Sequence, residues 1–124
     1  MRIEPFTPTL GARLHDLDLS ALDEATFAQI HEAYLKWHVL AVPGQQLTEG
    51  DFLAFAQRLG APEPHVQVKF HHPQHPEILM LSNEVEADGR PKGLDDGGTY
   101  WHSDMAFLAV PSSTTMLYAR VIPE

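Results

Sequence analysis

Cysteine is missing from all 124 residues, which excludes disulfides, thiolate metal sites and cysteine nucleophiles. Any metal must then sit on His, Asp, Glu or backbone oxygen. Positive charge is scarce as well: eight Lys and Arg stand against seventeen Asp and Glu, for a net charge of −9. That balance argues against nucleic acid as a partner, whereas a small anion, which reads only a local pocket, remains compatible with it. Long apolar runs are also lacking. Val39-Leu40-Ala41-Val42, the longest aliphatic stretch of the first half, is stopped by Pro43 and falls far short of a membrane span or a signal segment. We therefore expect no membrane partner and a cytoplasmic protein. Repeats and linker-like stretches are absent, so residues 1–124 are expected to form a single domain with one core.

Apolar residues make up 44% and charged residues 20%, an ordinary globular mix. Met1 to Leu19, with Pro5, Pro8 and Gly11, reads as two short strands joined by a turn. Ser20 with Asp23 three residues on marks a helix start, and Phe27, Ile30, Tyr34 and Trp37 recur at spacings of three or four, predicting a helix over 23–37. A buried strand is expected at 38–42, ended by Pro43-Gly44. Thr48 with Asp51 opens a second helix with Phe52, Phe55, Ala56 and Leu59 on one face and Gly60 as its stop. Four prolines and four histidines between Ala61 and Pro76 forbid a long helix there. Further strands are expected at 78–81, 100–107 and 115–121. The Asp-, Glu- and Gly-rich stretch 84–98 reads as a long mobile loop of the kind used as a lid.

In an extended chain side chains alternate faces, so in Trp101-His102-Ser103-Asp104 the His and the Asp project the same way. An imidazole and a carboxylate side by side suit a borderline divalent metal and make two thirds of the 2-His-1-carboxylate triad of non-haem Fe(II) oxygenases. Alternation also sends Trp101 to the opposite face, where it is expected to pack on the core instead of touching substrate.

The order of several segments carries a wider likeness. Gly11 to Ser20, His38 to Thr48, Phe55 to Gly60, His75 to Ile78, Trp101-His102-Ser103-Asp104-Met105-Ala106-Phe107 and Leu117 to Arg120 resemble the taurine dioxygenase and 2,4-dichlorophenoxyacetate dioxygenase family of Fe(II)- and 2-oxoglutarate-dependent oxygenases. The resemblance implies an α+β, mainly β fold: the N-terminal portion of a double-stranded β-helix, or jelly roll, with flanking helices. It implies Fe(II) as cofactor with 2-oxoglutarate and O2 as co-substrates. The reaction implied is hydroxylation of a small organic acid such as a sulfonate or phenoxy acid. His102 and Asp104 would be the first two iron ligands. The family's second His ligand, its 2-oxoglutarate-binding Arg and other cofactor contacts would lie beyond Glu124, so the chain reads as about the N-terminal half of a larger oxygenase domain and is expected to be inactive alone. A homo-oligomer is open by the same resemblance, as is completion of the triad by another chain.

By the same likeness His65 matches a histidine lining the substrate pocket, though it also reads as a loop histidine. Asn83 is either an amide donor reaching into the pocket or a strand-end turn former. His71, His72 and His75 form the densest histidine cluster, and the competing reading is a non-catalytic metal-binding or interaction module built on them. Pro73 and Pro76 deny them helical spacing, which favours a solvated loop. His15, His31 and His38 are most simply structural.

Overall fold

The structure, a computed structural model, describes residues 1–122. Its contacts divide the chain into two compact units, Met1–Phe55 and Ala56–Glu124, with the division falling inside a helix.

In the first unit β1 (Arg2–Pro5) and β2 (Ala12–His15) pair antiparallel, Arg2 opposite His15 and Pro5 opposite Ala12. Thr7 builds the corner between them: its hydroxyl accepts from the Thr9 and Leu10 amides and donates to the Leu10 carbonyl. Gly11 completes that corner at φ +78°, where a Cβ would lie 2.7 Å from the Phe6 ring, so only glycine fits. The chain then crosses through α1 (Glu24–Trp37) to β3 (Leu40–Ala41), which pairs parallel with β2.

Helix α1 starts where a side-chain oxygen can satisfy its free amides. Asp23 in extended conformation accepts from the Thr26 amide at 2.7 Å. Ser20, expected to share this start, is instead held by the Asp18 carboxylate through its own amide and hydroxyl. The helix ends at His38, which adopts the left-handed conformation (φ 62°) and returns its amide to the Tyr34 carbonyl. The expected apolar stripe faces inward, Ile30 and Ala33 being buried with Phe27, Tyr34 and Trp37 half-buried. Ala12, Leu14, Leu47 and Phe55 complete this core, and Phe27 meets Phe55 edge-on at 6.2 Å. Burying one Leu or Ile fully contributes about 2 kcal/mol, so Leu14 and Ile30, 1% and 2% exposed, are its strongest members.

Helix α2 (Glu49–Leu59) opens with the expected reciprocal cap. The Thr48 hydroxyl accepts from the Asp51 amide, and the Asp51 carboxylate accepts from the Thr48 amide and hydroxyl. These bonds hold the Asp51 carboxyl below the ordinary carboxylate range.

The second unit has less regular structure. A 3-10 turn (Val68–Phe70) buries Phe70, and the chain from 70 to 72 runs antiparallel to 78–80 through Met80 N to Phe70 O and His72 N to Ile78 O. On its other side 80–82 meets Leu94, whose amide donates to the Met80 carbonyl and whose carbonyl accepts from Ser82. Gly93 permits this approach, because a Cβ there would stand 2.7 Å from the Met80 oxygen and 2.8 Å from the Ser82 nitrogen.

Several expectations are corrected here. Among the described residues 78–81 contributes only isolated bridges, and neither 100–107 nor 115–121 is a strand. A strand exists only as part of a ladder with a neighbouring segment, and among the described residues no ladder includes 100–107 or 115–121; residues 104–107 form a turn instead, closed by Leu108 N to Met105 O. The jelly-roll ladder is therefore not seen in these residues. Trp101 does not pack on a core but is fully exposed. The stretch 84–98 is not a uniform loop: 84–92 folds into a small hairpin with Val85 opposite Pro91, a turn from Glu86 to Gly89, and Lys92 bonded to Glu84 at 2.8 Å.

Candidate metal-binding pair

His102 and Asp104 are brought together, although not by a strand. His102 lies in irregular chain and Asp104 opens the 104–107 turn, in which Met105 takes φ 53°. The His102 Nε2 stands 3.0 Å from Asp104 Oδ1. On the other side of the ring Nδ1 is 2.7 Å from the Tyr100 carbonyl oxygen. A carbonyl can only accept, so Nδ1 carries the proton and donates it. Nε2 and the carboxylate oxygen then face each other as two electron pairs unless a cation lies between them. The smallest such cation is a proton, and accordingly the His102 pKa is raised above the ordinary histidine value, first by the Tyr100 hydrogen bond and then by Asp104.

A divalent ion is the larger alternative, and the spacing suits it: two adjacent donors of an octahedral ion, each about 2.1 Å from it, stand roughly 3.0 Å apart. The donor set also fits, with one neutral imidazole whose far nitrogen is fixed by a carbonyl and one carboxylate. The two side chains are partly exposed, 36% and 43%, so a ligand can reach them. Among the described residues no group of three His, Asp or Glu side chains converges, so this pair supplies two donors and not a closed site.

The other predicted residues lie elsewhere in the second unit. His65 is half-buried; its Nδ1 accepts from the Gln67 amide at 3.1 Å, and its carbonyl accepts from His71 Nε2 at 2.6 Å. Asn83 is exposed at the bend before the hairpin. Among the described residues no hydrogen bond or ion pair joins either one to His102 or Asp104. His71, His72 and His75 do not converge as three donors: His71 is engaged with His65, while His72 and His75 stack with ring centroids 5.3 Å apart. His15 bonds Glu4 across the β1–β2 pair, His31 stacks on Phe27 and His38 caps α1. No spacing in the sequence points to Tyr100, because its carbonyl is a group that every residue carries.

No helix among the described residues is long and apolar enough to cross a membrane. Comparison with known proteins gives a consistent likeness. The (S)-phenoxypropionate/alpha-ketoglutarate-dioxygenase of Delftia acidovorans is 33% identical over 134 residues, covering 99% of this chain and 43% of that enzyme. The pentalenolactone F synthase of Streptomyces arenae is 33% identical, covering 92% of this chain and 39% of its own length. Among solved structures, a taurine dioxygenase from Burkholderia xenovorans superimposes with TM-score 0.57 at 34% identity, over 63% of this chain and 27% of that one. The chain thus spans less than half the length of the curated relatives it matches. The model of the taurine catabolism dioxygenase TauD, TfdA family matches residues 2–124, and the chain belongs to that family.

Proposed function

We propose that these residues are part of an Fe(II)- and 2-oxoglutarate-dependent dioxygenase acting on a small organic acid, in which His102 and Asp104 are two of the iron ligands. The observation that carries this reading is the pair itself: in a chain of this family, an imidazole whose Nδ1–H is held by the Tyr100 carbonyl presents Nε2 to a carboxylate oxygen at 3.0 Å. Bound Fe(II), with 2-oxoglutarate and O2, supplies oxidative decarboxylation of the keto acid coupled to hydroxylation of a C–H bond. His102 and Asp104 contribute two adjacent donors with one negative charge between them, which leaves a divalent ion net positive and able to attract an anionic co-substrate.

The names of two relatives support this substrate class, one naming phenoxypropionate, a carboxylate, and one taurine, a sulfonate, each a small molecule with an acid group. His65 and Asn83 are the side chains we assign to the substrate's polar end. A third metal donor and a cation for 2-oxoglutarate complete the site in this reading, as one larger domain of which residues 1–124 are part. The 124 residues alone are accordingly expected not to turn over 2-oxoglutarate.

The test is an anaerobic titration with Fe(II) and 2-oxoglutarate, following the visible metal-to-ligand charge-transfer band of a chelated keto acid. A chain extended past Glu124 is expected to show the band and to lose it on Asp104→Ala. A band that survives Asp104→Ala would place the iron elsewhere and overturn the assignment. A band in the 124-residue chain that is lost on Asp104→Ala would mean that an unexpected ligand or a second chain completes the site, and would overturn the expectation that these residues alone are inactive.

A further inference from the structure

The surroundings of His102 contain more than its partner carboxylate. Tyr100 touches the imidazole twice: its carbonyl takes the Nδ1 proton at 2.7 Å, and its ring lies against the imidazole with centroids 5.4 Å apart at 57°. Gly98 closes a third side. It sits at φ +78°, and a Cβ there would come 3.5 Å from His102 Cε1, so the backbone turn that carries Tyr100 runs directly beside the ring. An imidazole on irregular chain has no strand neighbours to fix its plane, and this one is braced by a carbonyl, a ring and a turn instead. Those contacts determine which nitrogen is presented: with Nδ1 tied to the carbonyl, only Nε2 can face Asp104.

We propose that Tyr100 is the positioning residue of the His102–Asp104 pair, its carbonyl selecting the Nδ1–H tautomer and its ring holding the imidazole plane so that Nε2 and Asp104 Oδ1 share one cation. The metal half of this inference rests on the function proposed above, whereas the tautomer half does not. The side chain adds what the carbonyl cannot. A carbonyl alone lets the imidazole swing about the hydrogen bond, whereas a ring tilted against it restricts that freedom. The ring is also 75% exposed as part of Tyr100, so its removal costs no core packing.

Two readouts on the 124-residue chain test this. Nitrogen-15 NMR of the histidine side chains, at a pH high enough for a neutral ring, reports the tautomer of His102 directly. Titration with Co(II) alone reports the metal affinity of the pair, with His102→Ala and Asp104→Ala as controls. The wild-type ring is expected as the Nδ1–H tautomer. Tyr100→Ala is expected to mix the tautomers and weaken Co(II) binding about tenfold. Tyr100→Phe, which keeps the ring, is expected to restore both. A wild-type Nε2–H tautomer, or a Tyr100→Ala variant indistinguishable from wild type in tautomer, overturns the positioning role. Co(II) affinity untouched by His102→Ala and Asp104→Ala removes the metal from this pair and with it the proposed function. If the tautomer still depends on the Tyr100 ring, the positioning role then stands for the imidazole without the metal.

Discussion

Residues 1–55 and residues 100–122 are built by different rules. In the first region the hairpin and both helices are closed by groups a few residues away, and only β3 depends on a distant partner, β2: Thr7 makes the hairpin corner, Asp23 and His38 close α1, and Thr48 with Asp51 opens α2. Its apolar side chains then meet in one core. The second region carries the candidate site, yet Tyr100, Trp101, Phe107, Val110, Leu117, Val121 and Ile122 are all exposed. The difference is one of range. Caps and helical stripes are satisfied locally, whereas strands need neighbours distant in sequence. The contact of Tyr100, His102 and Asp104 in 100–122 is again local, made within five residues.

Deleting a side chain from the first core should break this contrast most severely. Leu14→Ala removes the most buried large side chain and is expected to cost about 3 kcal/mol, read as the shift in a urea unfolding midpoint. Phe107→Ala, a larger truncation at a 69% exposed site, is expected to stay within about 0.5 kcal/mol of wild type. Equal costs would mean that 100–122 has a core of its own.

The next effect lies at Gly93. A methyl group there would press on the Met80 carbonyl and the Ser82 amide, both backbone atoms that cannot rotate away. Gly93→Ala is expected to cost about 2 kcal/mol and to speed hydrogen exchange at Ser82 and Leu94, whose amides make the two bonds of that crossing. Unchanged exchange would show that the two segments do not need to approach so closely.

Smaller again is the loss of the α2 cap. Thr48→Ala should cost about 1 kcal/mol. The partner carboxylate gives the pH signature. Because the Thr48 hydrogen bonds depress the folded pKa of Asp51 below 3.8, its contribution is complete above that pH and is lost as the pH falls through the depressed value. Wild type and Asp51→Asn should therefore converge in stability at strongly acidic pH, with the gap opening as the pH rises through the depressed value and complete above pH 3.8. A constant gap down to the lowest pH would show that the carboxylate's charge plays no part.

How much could be read from the sequence follows the same division by range. The helices were legible because Phe27, Ile30, Tyr34 and Trp37, and then Phe52, Phe55 and Leu59, keep their period without reference to anything distant. The start of α1 was misread by one capping group, since Ser20 and Asp23 both suit the role and only geometry shows Ser20 spent on Asp18. Stretches 78–81, 100–107 and 115–121 have strand composition, but composition does not supply a partner strand. The hairpin at 84–92 had a usable signal in Asp88-Gly89, flanked by Glu84 and Lys92, obscured by the general loop character of the segment. At the site, the spacing of His102 and Asp104 was visible, and their convergence occurs on a turn where alternation along a strand was expected. The bracing by Tyr100 was not visible, since it uses a backbone carbonyl, a group every residue carries.

The two tryptophans offer the finest probe, one in each region. Trp37 is half-buried at the end of α1, with the Lys36 ammonium 4.9 Å above its ring, whereas Trp101 is fully exposed. With Trp37→Phe only Trp101 emits, and acrylamide should then quench the fluorescence about as efficiently as it quenches free indole. With Trp101→Phe the remaining Trp37 should be shielded and lie near its cation. Trp101→Phe should change the unfolding free energy by no more than about 0.5 kcal/mol, because a side chain already in water loses nothing on truncation. Should the chain be extended past Glu124 and Trp101 become shielded, the added residues would be covering the segment next to His102, and the local rule that governs 100–122 would have given way to the long-range one.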